Sequence, residues 1–365
     1  MFVFRLIAGP MLKYDSRRLN VRSLQLIKGG SFTLTIPRWW VDKQRLKKGS
    51  KLILAEDGQS LKITSTAALR AKKTAVIDLD QMEDPQHAIY TVWTYYMQGA
   101  DEITVKSSSP ITLEKKRRLR ELRMDLQGID IAKEDERSIT YVVAGEFDDV
   151  PLDSVIRSMH STALAIQQDA VKSVLNGDVE MASEVVGREP ELLRIYRRVI
   201  RQIALCSMNP ETAYKSGISN SRELITYAVL ARDLNRSVYH SLYVARHFTR
   251  YGRPLDDKQL LEIIQQMSDA AHQMSRQAVD AFLEKDMNKI FSVVKSMEKV
   301  RQLDEELNMH VLQTVRETGK AVIAMMIGRE LRRVAGYAVA MADIAANRTL
   351  GPKTSLDISS QQPHS

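Results

Sequence analysis

Apolar positions along this chain change their period twice, and each change marks a different architecture. Between residues 18 and 66 the period is two. Phe32, Leu34 and Ile36 alternate with Thr33 and Thr35, and Leu52 with Leu54 and Leu61 with Ile63 repeat the pattern. Pro37 ends the first of these strands and can open a helix at its first position, so WWVDKQ reads as one helix of barely two turns. Lys48-Gly49 predicts a turn and Asp57-Gly58 a hairpin. Leu19 and Val21 are out of phase with Leu24 and Leu26, which predicts a bulge near Arg22-Ser23. The expectation is four short strands around one short helix.

Residues 74–145 alternate between the two periods. AVIDL reads as a strand, DPQHAIYTVWTYYMQG as a helix ending at Gly99, and EITVK as a second strand. TLEKKRRLRELRMDLQG reads as a helix ending at Gly128, and IDIAK and SITYVVAG as two last strands. This β-α-β-α-β-β order predicts an open sheet with helices on one face. Leu113, Leu119, Leu122 and Leu126 are expected to face inward, leaving the basic run KKRRLRELR in solvent. No glycine-rich phosphate loop joins a strand to a helix here.

Residues 148–348 keep the helical period almost throughout. Leu152, Val155, Ile156, Met159, Ala163, Ile166 and Ala170 form one stripe; Leu224, Ala228, Ala231, Leu234, Val238 and Leu242 form another. Asn176-Gly177-Asp178 and a Pro210–Gly217 loop separate three helices, and Gly252-Arg253-Pro254 separates two halves. The halves repeat. A shift of 108 places Met159 on Met267, Ala163 on Ala271, Ala170 on Ala278, Leu175 on Leu283 and Asp178 on Asp286. A shift of 97 places Leu234 on Leu331 and Arg236 on Arg333. The region therefore reads as two copies of a three-helix unit, spanning 148–249 and 255–348.

Charge changes this picture at one end. The 365 residues carry a net +8, but residues 1–73 hold 16 Lys and Arg against 4 Asp and Glu, a net +12, so the rest is slightly acidic. A basic end on a near-neutral body suggests a polyanion partner. The single cysteine, Cys206, allows no intramolecular disulfide and fits a reducing cytoplasm. No apolar run reaches membrane-span length. The N-terminal MFVFRLIAGP, interrupted by Arg5, reads as part of a lead-in over 1–17 and not as a signal peptide. Residues 349–365 read as a disordered tail.

With these elements in place, RRLNVRSLQLIKGGSFTLTIPRWWVDKQRLKKGSKLIL resembles a swapped-hairpin AbrB-type DNA-binding domain over 18–66. The tandem units, with RDLNRSVYHSLYVARHF and RELRRVAGYAVAMADIAANR as third helices, resemble PhoU domains. The module order is similar to prokaryotic phosphate uptake regulators. The fold class expected is multidomain α+β: a small swapped-hairpin β domain, a small α/β unit over 74–145, then all-α tandem three-helix bundles. The resemblance implies an intertwined homodimer, double-stranded DNA as partner, a role in phosphate homeostasis, and a phosphate transporter or kinase as a further partner. It also implies multinuclear iron or zinc on acidic E-x-x-x-D motifs.

This chain departs from those motifs. Asn235 and Tyr239 stand at the two acidic positions of the first third helix, Arg332 and Gly336 at those of the second, and Leu193 four residues after Glu189. A cation cluster needs carboxylates at i, i+4 on one face. The expectation is that the metal cluster is lost and that no cofactor is held. The run Asp304-Glu305-Glu306 is expected to be a solvated face, and Asp269 with His272 a surface pair. No Ser-His-Asp or Cys-His arrangement emerges, so no enzyme is expected. The DNA-contact candidates are Arg17, Arg18, Arg22, Lys28, Arg38 and Lys43, with Arg22 and Arg38 placed to reach base edges. The dimer-interface candidates are Phe32, Leu34, Ile36, Trp40 and Val41, with Trp39 more exposed. The alternative is a basic domain that only dimerises, on an adaptor that docks on a transporter or kinase.

Overall fold

The computed structural model describes residues 21–82, 84–144 and 150–351. The chain divides into two compact units. Of the described residues, one holds those up to Leu54 together with Ile63–Arg70, and the other holds Ala55–Lys62 and those from Ala71 onward.

The first unit is built from short pieces. Strands β1 (Gln25–Leu26) and β2 (Phe32–Thr33) pair antiparallel, Gln25 with Thr33 and Leu26 with Phe32. Helix α1 (Arg38–Lys43) follows Pro37. Strands β3 (Leu52–Asp57) and β4 (Ser60–Ser65) form the hairpin turned by Asp57-Gly58, whose outer part, Ala55–Lys62, is counted with the second unit, and α2 (Thr66–Arg70) closes the segment. Two expectations fail here. Leu34 and Ile36 lie outside any strand, because no neighbouring strand among the described residues offers them ladder bonds. Arg22 and Ser23 precede β1 and form no bulge.

In the second unit, strands β5 (Thr74–Asp78), β6 (Glu102–Lys106), β7 (Ile129–Glu134) and β8 (Ser138–Val143) form one sheet in the order β5-β6-β8-β7. β5 and β6 are parallel; β8 is antiparallel to both β6 and β7. Helices α3 (Pro85–Met97) and α4 (Leu113–Glu121) accompany the sheet. Ile77, Ile103, Val105, Ile139 and Tyr141 meet Val92, Tyr96, Leu119, Leu122 and Leu126 in its core. Leu113 is 83% exposed, contrary to expectation. Six residues separate it from Leu119, which turns it about 240° around the helix. The basic run is a solvated face, laced by Arg117–Glu121, Arg118–Glu114 and Arg120–Glu134.

The rest of the second unit is helical: α5 (Leu152–Leu175), α6 (Val179–Gly187), α7 (Glu189–Met208), α8 (Pro210–Lys215), α9 (Ser221–Tyr251), α10 (Lys258–Glu284), α11 (Met287–Thr314) and α12 (Thr318–Thr349). The repeat shows in atomic detail. Asp178 caps α6, accepting from the Met181 N–H, and its mate Asp286 caps α11, accepting from Asn288 and Lys289. Met159 and Met267 are both fully buried, as are Ala170 and Ala278.

The repeat is imperfect in two places. The middle helix of the first copy breaks at Arg188 into α6 and α7, with Pro190 in the first turn of α7, whereas α11 is unbroken. The expected Pro210–Gly217 loop contains α8, because Asn209 caps it through the Glu211 N–H and Pro210 opens it. α12 also runs to Thr349, one residue into the expected tail.

Helices α9 and α12 form the seam between the copies and run antiparallel. Tyr251 meets Glu317, His240 meets Glu330, and Tyr227 meets Arg348 at three successive levels.

Helix α7 ties the sheet to the bundle. Arg201 is almost wholly buried and donates to the Tyr96 and Ala100 carbonyls at 3.0 and 2.8 Å. Arg197 stacks its guanidinium 3.8 Å above the Trp93 ring and donates to the Asp125 carbonyl. Gly99 has a left-handed φ of +86°, and a Cβ there would meet Leu205 of α7 at 2.8 Å. Glycine therefore permits both the turn and the close approach.

Candidate nucleic-acid interface and the helical body

The first unit places its cations on solvent-exposed ground. Arg22 lies before β1, Lys28 in the β1–β2 turn, and Arg38 and Lys43 begin and end α1. Arg17 and Arg18 lie outside the described residues. Arg38 and Lys43 stand about 140° apart around α1, so that helix does not gather them on one face. Arg38 pairs with Asp42 at 3.4 Å, but both side chains are largely exposed, and such pairs hold a cation only weakly. The segment after α1 adds Arg45, Lys47, Lys48 and Lys51, all exposed. These four were missed as candidates, although the run KQRLKKGSK announces them.

Apolar side chains in this unit are exposed as well. No residue from Val21 to Thr64 is buried. Val21 is 93% exposed, and Leu24, Leu26 and Phe32 about two-thirds. Leu34 and Trp39 are half-exposed, while Ile36, Trp40 and Val41 are intermediate.

In the helical body, the carboxylates nearest the expected metal positions already have cationic partners. Glu189 accepts from Arg246. Asp304 accepts from Arg332 at 2.7 Å, and it is buried rather than solvated, unlike Glu305 and Glu306. Glu330 lies 2.5 Å from His240 Nδ1 and 3.9 Å from His247. Burial would raise the Glu330 carboxyl, but His240, His247 and Arg333 outweigh it and hold it below the usual range. Tyr239 bonds to Tyr243 at 3.0 Å, and Gly336 offers no ligand atom. Among the described residues, no group of three His, Cys, Asp or Glu is placed to hold a metal ion.

The histidines are less scattered than their spacing suggests. His310 bonds to Asp257, the N-cap of α10. His160 on α5 and His272 on α10 sit close enough to repel each other's charge. Burial, then His272, pushes the His160 imidazole down to about 4. Asp269 does not pair with His272 but accepts from Gln265, and His272 contacts Gln168.

Among the described residues, no helix is long and apolar enough to cross a membrane. Comparison with curated proteins finds no match. Among solved structures, the PhoU protein of Pseudomonas aeruginosa is similar at 17% identity. The match covers 53% of this chain and 93% of that one, with a TM-score of 0.47. The phosphate transport system regulatory protein PhoU of Streptococcus pneumoniae is similar at 16% identity, over 54% and 92%, with a TM-score of 0.46. The PhoU domain family model matches residues 156–248 and 264–345, one segment in each helical repeat. The helical body of this chain is therefore similar, in each of its two repeats, to the PhoU domain.

Proposed function

We propose that this protein is a DNA-binding transcriptional regulator of phosphate uptake or homeostasis, dimeric through its N-terminal unit. The observation that carries this reading is the absence of any buried residue from Val21 to Thr64, amid exposed lysines and arginines. A unit of about fifty residues with no disulfide and no interior of its own needs a partner to supply a core. A second copy covering Phe32, Leu34, Ile36, Trp40 and Val41 would give it one, and would double the basic surface offered to a duplex. The link to phosphate rests on the family match of the helical body.

The body works without a metal cluster in this reading. The support is chemical: Arg332 and Gly336 supply no anionic ligand, and Glu189, Asp304 and Glu330 are engaged by Arg246, Arg332 and His240.

The test is duplex binding by the full chain at low and moderate salt, beside a variant carrying Arg22→Ala, Arg38→Ala and Lys43→Ala. Salt-sensitive binding that the variant loses supports the reading. A chain that binds no duplex at either salt would instead point to an adaptor that docks on a transporter or kinase.

A further inference from the structure

The two helical repeats present the same face differently, and the difference opens a groove. In the first repeat Tyr239 and Tyr243 project from α9 and bond to each other at 3.0 Å. The Arg246 guanidinium lies 6.0 and 5.2 Å from their ring centres, and Glu189 neutralises it. That surface is filled by the two rings, and its Arg246 is paired. One repeat later the two tyrosines are replaced by Gly336 and Ala340, and Glu189 by Met297. A Cβ on Gly336 would meet nothing within 4 Å. The space left is a groove of about 570 Å³, with Met297 from α11 and Tyr337 from α12 among its walls.

Three arginines line this groove: Arg329, Arg332 and Arg333. They stand at i, i+3 and i+4, so one turn of α12 carries all three on neighbouring positions. All three are exposed. Asp304 pairs with Arg332. Glu330 is turned to His240, and Arg329 and Arg333 have no ion-pair partner among the described residues. The groove therefore keeps two guanidinium groups, Arg329 and Arg333, without an ion-pair partner among the described residues, and only Glu330 is near enough to Arg333 to feel its charge.

We propose that this groove binds a small phosphate-bearing anion. Guanidinium groups match phosphate oxygens with paired donors, which a single ammonium cannot do. A space of several hundred Å³ is the size of a small-molecule site. It exceeds the needs of one phosphate ion, and Met297 and Tyr337 offer the rest of the ligand an apolar wall. The shared chemistry is the phosphate group; its source is inorganic phosphate, pyrophosphate or a nucleoside diphosphate. This inference is independent of DNA binding by the N-terminal unit.

The full chain would be titrated calorimetrically with inorganic phosphate, pyrophosphate and adenosine diphosphate, each in phosphate-free buffer at moderate salt. Saturable binding of one molecule per chain is expected for at least one of them, and the tightest identifies the source. Arg329→Ala with Arg333→Ala should weaken it about tenfold or more. Gly336→Tyr keeps all three arginines and restores the residue of the first repeat. It should abolish binding while leaving the melting temperature and duplex binding unchanged. The proposal is overturned if none of the three ligands binds saturably, or if binding survives both variants. It is equally overturned if binding is lost only on removing Arg22, Arg38 and Lys43, or if the groove variants lose duplex binding instead.

Discussion

His240 on α9 and Glu330 on α12 lie 2.5 Å apart, an acid–imidazole pair sealed into the seam between the two helical repeats. Both side chains are about nine-tenths buried, and the ring of Tyr337 stacks on His240 at 5.5 Å. Removing Glu330 leaves His240 buried without its acid partner, and removing His240 leaves the buried Glu330 only the 3.9 Å contact to His247. Glu330→Leu or His240→Leu should therefore destabilise the body by about 3 kcal/mol, while the double variant should recover much of the loss. Chemical denaturation of the four proteins of this cycle measures it; additive losses would mean the pair is not coupled.

Arg201 makes a second prediction. Its donors hold the carbonyls of Tyr96 and Ala100 at the end of α3, from a position 2% exposed. Arg201→Met keeps most of the packing but removes this donor from the Ala100 carbonyl and leaves the Tyr96 carbonyl only the Gly99 N–H, so a cost of about 1–3 kcal/mol is expected. Hydrogen exchange should show the loss concentrated in α3 and β6. A uniform loss of protection across the helical body would show that Arg201 does not anchor the sheet.

The N-terminal unit should depend on salt and on a second copy. If the exposed cations neutralise phosphates, the logarithm of affinity falls linearly with the logarithm of salt concentration. Each basic residue replaced should then reduce the slope by about 1. Phe32→Asp places a charge on an apolar residue that is 67% exposed in the single chain. It should convert a dimer into a monomer by light scattering, and a variant that stays dimeric would exclude Phe32 from the interface.

Acid should weaken the body through His160. Burial and the neighbouring His272 lower its pKa from 6.5 to about 4. The unfolded chain therefore binds this proton more readily than the folded one. The neutral imidazole's contribution is complete above pH 6.5 and is lost as pH falls toward 4. The full shift corresponds to about 3 kcal/mol. The lowered pKa values of His247 and His272 act in the same direction. His160→Leu should flatten the melting temperature between pH 6.5 and 4; an unchanged slope would place the acid sensitivity elsewhere.

Metal analysis addresses the body directly. Protein purified without chelator is expected to carry no stoichiometric iron or zinc, and chelator treatment should leave its melting temperature unchanged. A stoichiometric transition metal would mean that carboxylates now engaged by Arg246 and Arg332 can exchange those partners for a cation.

The sequence by itself determined what local periodicity and capping chemistry can determine. The 3.6-residue stripes of Met159, Ala163 and Ala170 and of their mates fixed two helical copies, because burying one face of each helix leaves no other use for that pattern. The Asn176-Gly177-Asp178 turn marked a break between helices, and the shift of 108 put Asp286 in the matching place; that both aspartates cap the following helix is seen only in the structure. The basic end was equally plain, since net charge needs no fold.

Tertiary structure decided everything that depends on which side chains meet. Leu113 was read as core on spacing that the helix rotates into solvent, and Asp304 was read as solvated until packing placed it against Arg332. Leu34 and Ile36 alternate like a strand yet have no ladder partner among the described residues, because a strand is completed by its neighbour and not by its own pattern. The arginine groove was hidden for the same reason. Its space comes from a glycine and an alanine on α12, its charge from arginines one and two turns away, and its wall from Met297 on α11. No stretch of sequence contains all three, and only the packing of α11 against α12 brings them together.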